Sequence, residues 1–425
     1  MDKHHNSSYR WIVFITVLLA YFLIVSQRTA PGLITDQVMK DFQISAAVVG
    51  LMTSIQFVAY SGLQIPIGLL SDRFGPNLFL IIGTLLNGIG TIVYSIAPHE
   101  SILLFSRLLV GMGDATIWVN LVLILGKWFK PGEFTRLLGL AAVAGSFGSL
   151  LATVPFSHFI ELAGWRPVFF ITGMVLCLVS ILLYVVLEKR PKQEAIQSAS
   201  ANLQPKQKHE KTGIILKRML SSRQAWATFF CHFGVVGTYV GFIGSWGVPY
   251  GMDVLEISRA AASQLMMYGL IGAIAGSFLI GWFTSKLETV KRPYVFIQFM
   301  IFLSWVALFI FEKPPFLLVV LLLFLIGFGH GGGPLTFAIV RNSFPSKEVG
   351  VITGFANTGG FISAVLLPFL FGKMLDHFHL APIEVGYHYG FLIPVFFSLI
   401  GLLGCIMIKE QQKSERQVKK SSGVI

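Results

Sequence analysis

The feature that most constrains this chain is a run of about 20 apolar residues, nearly free of charge, repeated along its whole length. A helix rises ~1.5 Å per residue, so each run can cross the ~30 Å hydrocarbon core of a bilayer. Continuous apolarity, rather than ~10-residue alternation, excludes a membrane β-barrel. The runs predict helices over 10–35, 45–70, 76–97, 101–126, 135–159 and 165–188. A second set follows over 223–248, 258–283, 291–311, 315–339, 349–373 and 386–408. The expected fold class is an all-α membrane protein of twelve transmembrane helices. Its expected parts are a six-helix half (1–188), a polar linker (189–222), a second six-helix half (223–409) and a tail (410–425). The linker is rich in Lys and Gln and shows no helical apolar period. Charged residues are only 12% of the chain against the ~25% of soluble domains, and 54% are apolar, which excludes soluble and disordered chains alike.

The net charge of +12 invites a nucleic-acid reading, but no dense basic domain with interleaved aromatics is present. The basic residues instead alternate by loop. With the N-terminus inside, the inner loops, tails and linker hold 25 of the 32 Lys and Arg, and the outer loops hold 5: Lys40, Arg166, Arg259, Lys313 and Lys373. That asymmetry predicts that both termini are cytoplasmic. The first apolar stretch, from Trp11, is too long for a signal-peptide core and reads as an uncleaved helix. With compact loops, this suggests a bacterial inner membrane. Cys177, Cys231 and Cys405 lie inside apolar segments and show neither a disulfide framework nor metal-ligand spacing. No phosphate loop, nucleophile set or cofactor motif is visible, so an enzyme is not expected.

Between the second and third runs the chain reads Gly68-Leu69-Leu70-Ser71-Asp72-Arg73-Phe74-Gly75. Gly68 and Gly75 suit a tight turn with close helix approach, and Asp72 suits a helix N-terminus or a basic partner. The segment resembles the G-x-L-x-D-R-x-G signature of the major facilitator superfamily, which also has two six-helix halves and a central cytoplasmic linker. The resemblance implies a transporter in which Gly68, Asp72, Arg73 and Gly75 take part in gating.

Ionisable groups inside a bilayer are costly and by default functional. Three stand out: Arg28 in the first run, and Arg107 and Asp114 in the fourth. Seven residues is about two helical turns, so Arg107 and Asp114 share one face ~10 Å apart along the axis. Guanidinium forks match carboxylate or phosphate bidentately and stay charged at physiological pH. Two of them facing one cavity would attract a small organic anion. Burial opposes ionisation of Asp114 and a neighbouring Arg favours it, which suits a group that loads and releases a proton. A structural partnership of Asp114 with Arg107 is the alternative.

The Arg in the first span, the Arg-x6-acid pattern, and Tyr60 with Gln64 resemble the anion:cation symporter branch of the superfamily. The resemblance implies Arg28 and Arg107 as anion contacts and Asp114 as proton carrier. Where the branch often has an acid before the first Arg, this chain has Gln27. Further candidate contacts are Gln27, Gln56, Tyr60 and Asn120 in the first half, with Tyr239, Trp246 and Asn357 in the second. Tyr239 and Trp246 could stack on a sugar-like ring. His330, within Gly329-His330-Gly331-Gly332-Gly333-Pro334, marks a loosened helix and a candidate gate. The expected partners are a small organic anion, protons and membrane lipid, with no cofactor and no metal. A drug or metabolite exporter of the same fold, and a non-transporting ligand sensor, remain as alternatives.

Overall fold

A computed structural model describes residues 8–44, 46–152, 154–189, 212–287, 289–378 and 380–409. Every regular element among these residues is helical. Ten helical stretches among them are long and apolar enough to cross a membrane, where the sequence predicts twelve spans. From residue 46 on, the expected span 45–70 lies within one 29-residue helix, and the expected span 135–159 falls on two successive helices. Most of the linker (190–211) and the tail (410–425) lie outside the described residues.

The helices fall into two compact units. One lies within Met1–Ile215 and Lys347–Thr358, the other within Leu216–Ser346 and Gly359–Ile425. The first contains α1 (Tyr9–Thr29), α2 (Thr35–Phe42), α3 (Ala46–Phe74), α4 (Pro76–Ile96), α5 (Glu100–Trp128), α6 (Pro131–Leu151), α7 (Val154–Ala163) and α8 (Trp165–Tyr184). A π-helical turn, Val185–Lys189, extends α8. Next come α9 (Thr212–Ser221), α10 (Arg223–His232), α11 (Thr238–Ile243), α12 (Gly247–Asp253), α13 (Arg259–Leu287), α14 (Lys291–Ile310), α15 (Phe316–His330) and α16 (Leu335–Ser343). The chain ends with α17 (Val349–His377), α18 (Ile383–Gly390) and α19 (Leu392–Met407). The first turns of α17 belong to the first unit by the division above.

The linker reading needs one correction. The stretch 189–222 shows no helical apolar period as a whole, yet Thr212–Ser221 within it is α-helix, with Met219 buried. Its apolar residues, Ile214, Ile215, Leu216, Met219 and Leu220, cover only about two turns, and the Lys- and Gln-rich residues before them hide so short a period. The seventh expected span (223–248) is also uneven: a π-helical turn, Phe233–Gly237, separates α10 from α11. The expected break near His330 is present, since residues 331–334 form turns between α15 and α16.

Close packing positions α5, which carries two of the three intramembrane charges. Gly83 on α4 faces Thr116 Oγ1 and the Gly113 carbonyl, and Gly113 faces Asn87 and the Gly83 carbonyl. A Cβ on either glycine would collide with its neighbour, so the two backbones touch as in other small-residue helix crossings. From Ser106 to Leu125 nearly every α5 residue is buried, which marks it as the central helix of its unit.

Candidate functional site

The three intramembrane charges meet in one connected cluster within the first unit. Arg28 lies at the C-terminal end of α1, and its Nε donates to Asp114 Oδ2 at 3.0 Å. Gln56 Nε2 on α3 donates to the same oxygen at 3.0 Å. On its other side Gln56 Oε1 accepts a long bond, 3.5 Å, from Arg107 Nη1. The shared face of Arg107 and Asp114 is therefore bridged by a neutral amide, and the direct ion-pair partner of Asp114 is Arg28. Asp114 and Arg107 are each almost fully enclosed, whereas the Arg28 side chain is 20% exposed.

Aromatic rings support both guanidinium groups. Arg107 Cζ lies 4.0 Å from the Tyr94 ring centroid, and Arg28 Cζ lies 5.2 Å from that of Tyr60. Cations so placed gain from the ring quadrupole, more when desolvated. Several capacities stay open among the described residues. Asp114 Oδ1 and Arg107 Nε and Nη2 are buried with no hydrogen-bond partner. With one carboxylate against two guanidinium groups, the cluster is net positive while Asp114 is ionised.

Gln56, Tyr60 and Gln64 recur every fourth residue and so line one face of α3. Asn357, near the start of α17 and packed in this unit, donates from Nδ2 to Tyr60 Oη (3.1 Å) and Gln64 Oε1 (3.0 Å). Gln64 Nε2 reaches the Ala115 carbonyl at 3.4 Å, next to Asp114. A continuous polar path thus runs from Asn357 to the charged cluster. Asn120 turns back onto its own helix, with Nδ2 donating to the Thr116 carbonyl at 2.6 Å. Gln27 is fully buried, and neither its amide nitrogen nor its oxygen is bonded among the described residues.

The candidates in the second unit stand in packing contacts. The Tyr239 ring stacks on His330, centroids 4.3 Å apart. Trp246 donates from Nε1 to the Pro368 carbonyl at 3.0 Å and stacks on Phe371. Sequence reasoning missed Tyr94. Nothing marks one ring among 38 Phe and 11 Tyr, and only the packing of α4 on α5 brings it under Arg107.

The signature segment builds a latch. Asp72 accepts from two successive backbone N–H groups at the start of α17: Gly350 to Oδ1 and Val351 to Oδ2, both 2.8 Å. Gly68 lies against the Gly350 carbonyl so closely that any Cβ would overlap it. Gly75 has φ +94°, a conformation that glycine adopts without strain, and precedes α4. Arg73 is exposed, and its guanidinium lies over the neighbouring Phe74 ring rather than in the latch.

Asp72 lies beyond the apolar stretch 45–70. Burial pushes its carboxyl up to about 7, despite the two backbone N–H groups and Lys127, which act downward. A freely solvated Asp titrates near ~3.9, so docking on α17 binds a proton more tightly than release does. The latch is therefore strongest at low pH and weakens as pH rises through about 7. Thermal unfolding of wild type and Asp72→Asn between pH 5 and 8 checks this: the wild-type advantage is expected to shrink as pH rises, and an advantage that grows would contradict it.

The comparisons agree with this architecture. The model of the Major Facilitator Superfamily matches residues 17–368 and 255–423, and the chain belongs to that family. It is a multi-pass membrane protein of a transporter family, not an enzyme. One relative is the "Probable galactarate/D-glucarate transporter GudP" of Bacillus subtilis (strain 168), 25% identical over 97% of this chain and 96% of the relative. Another is the "Membrane sensor protein UhpC" of Escherichia coli (strain K12), 24% identical over 89% of this chain and 90% of the relative. The solved structure of the E. coli fucose:proton symporter FucP superposes with a TM-score of 0.71 at 14% identity, covering 95% of this chain and all of that one. At that identity the match speaks for the fold alone.

Proposed function

We propose that this protein carries a small organic anion, a sugar acid or another carboxylate, together with a proton by alternating access. The proposal takes twelve spans with both termini cytoplasmic, in a bacterial inner membrane. One observation carries it: among the described residues Arg28 is held by Asp114 through Nε alone, and its side chain is partly exposed. The Nη edge gives a second carboxylate its first contact, and a full bidentate grip on that carboxylate forms once Asp114 lets go of Nε.

The chemistry follows from competition for one cation. While ionised, Asp114 neutralises Arg28 and holds it on α5. A proton on Asp114 removes that charge, and the guanidinium turns to the carboxylate of the solute. Loss of the proton restores the pair and displaces the solute. Proton and anion therefore arrive and leave together. Arg107 stays behind Gln56 as a fixed positive charge that favours an anion in the site. Tyr60 and Asn357 are the proposed neutral contacts, and the latch from Gly68 to Gly75 and the loosened helix at His330 are the proposed gates. The names of relatives such as the B. subtilis sugar-acid transporter support the solute class.

Purified protein reconstituted into liposomes, with the outside more acidic, tests this against a panel of sugar acids, dicarboxylates and sugar phosphates. Gradient-driven accumulation of one anion is expected. Tight binding without uptake would favour a sensor, the role that the name of the E. coli relative gives. Efflux of lipophilic cations would favour an exporter.

A further inference from the structure

A second feature lies in the other unit and is independent of the transport reading. At the start of α14 a groove of about 530 Å³ is lined by Lys291, Arg292, Val295, Phe296 and Phe299. These positions form two adjacent ridges of one helix, spaced by four residues. At ~1.5 Å per residue, Phe296 lies ~6 Å below Arg292 and Phe299 ~12 Å below Lys291. The two rings are 68% and 46% exposed. The groove is thus cationic at its mouth and apolar two turns further in.

The cations at the mouth differ. Lys291 Nζ donates to the Ile406 and Ile408 carbonyls, at 3.1 and 2.5 Å, so it anchors the end of α19. Arg292 is exposed and makes no ion pair among the described residues. On the neighbouring helix, Lys286 Nζ lies 3.9 Å from the Trp282 ring centroid, beside exposed Phe283 and Leu287. The local sequence carries three cations against one acid, Glu288.

We infer that this groove holds an anionic phospholipid, its phosphate at Arg292 and one acyl chain along Phe296 and Phe299. A polar mouth of one sign above an aromatic floor fits an amphiphile with a negative head, and basic pockets beside transmembrane helices bind such headgroups. The chain's own segments 190–211 and 410–425 are both net positive, so charge disfavours either of them as the occupant.

Thermal unfolding of the intact protein in a neutral detergent tests the assignment, with added phosphatidylglycerol, phosphatidylcholine of the same acyl chains, or inorganic phosphate. Phosphatidylglycerol is expected to raise the midpoint by about 3 °C more than phosphatidylcholine, since a ligand bound to the native state stabilises by mass action. Arg292→Gln should remove that difference while leaving the lipid-free midpoint unchanged, and Phe296→Ala with Phe299→Ala should reduce it. Equal shifts with both lipids, or an undiminished difference in Arg292→Gln, would overturn the proposal. An equal shift with inorganic phosphate alone would make the groove an anion site and not a lipid site.

Discussion

Replacing Arg28 with alanine is expected to abolish anion uptake in proteoliposomes, and replacing it with lysine to weaken anion binding about a hundredfold. The lysine figure comes from the geometry of one guanidinium serving two partners. Its Nε holds Asp114 at 3.0 Å until that carboxylate is protonated, and the freed fork then grips the solute carboxylate. An ammonium is a single point charge and cannot grip a carboxylate bidentately. Losing one bidentate charge-assisted contact costs roughly 2–3 kcal/mol, or about two decades in affinity. The alanine variant carries a second liability: it leaves Asp114 buried without its cation, and breaking a buried pair costs ~3–5 kcal/mol. The double variant Arg28→Ala with Asp114→Asn separates the effects. It should recover thermal stability and still fail to bind or transport. Recovery of transport along with stability would assign Arg28 a purely structural role.

The second large effect belongs to Asp114. Asparagine keeps the shape and one acceptor for Gln56 or Arg28 but cannot carry a proton between the two sides. Asp114→Asn should therefore retain anion exchange across the membrane and lose gradient-driven accumulation. A carrier coupled to one proton concentrates its solute about tenfold per pH unit of gradient, since one unit is worth ~1.36 kcal/mol. The wild type should approach that ratio, and the variant should settle near equal concentrations inside and out. Accumulation in the variant equal to wild type would place the proton elsewhere.

What could be read before the fold was known divides along physical lines. Membrane-spanning helices declare themselves because each must be apolar over its whole length, and Arg28, Arg107 and Asp114 stand out because charge is so rare there. The loosened helix at His330 was visible in its run of glycines ending at Pro334. The pairing was not visible. Arg107 and Asp114 are two turns apart on one helix, and the sequence offers that partnership only as an alternative. The observed partner, Arg28, lies 86 residues away on α1, brought to α5 by packing that leaves no local mark. Gln56 was readable as a polar residue in an apolar helix, but its part as a bridge between Arg107 and Asp114 depends on where α3 crosses α5. Helix α9 is hard to read because its apolar residues cover only about two turns and follow directly on a Lys- and Gln-rich stretch.

The proposed cycle turns on one guanidinium passing between an internal carboxylate and an external one. The most direct measurement is the number of protons taken up when an anion identified by uptake binds to purified protein in weakly buffered solution near neutral pH. About one proton per anion is predicted for the wild type, because freeing Arg28 requires neutralising Asp114, and none for Asp114→Asn. Anion binding with no proton uptake in the wild type, or with the same uptake in both proteins, would contradict it.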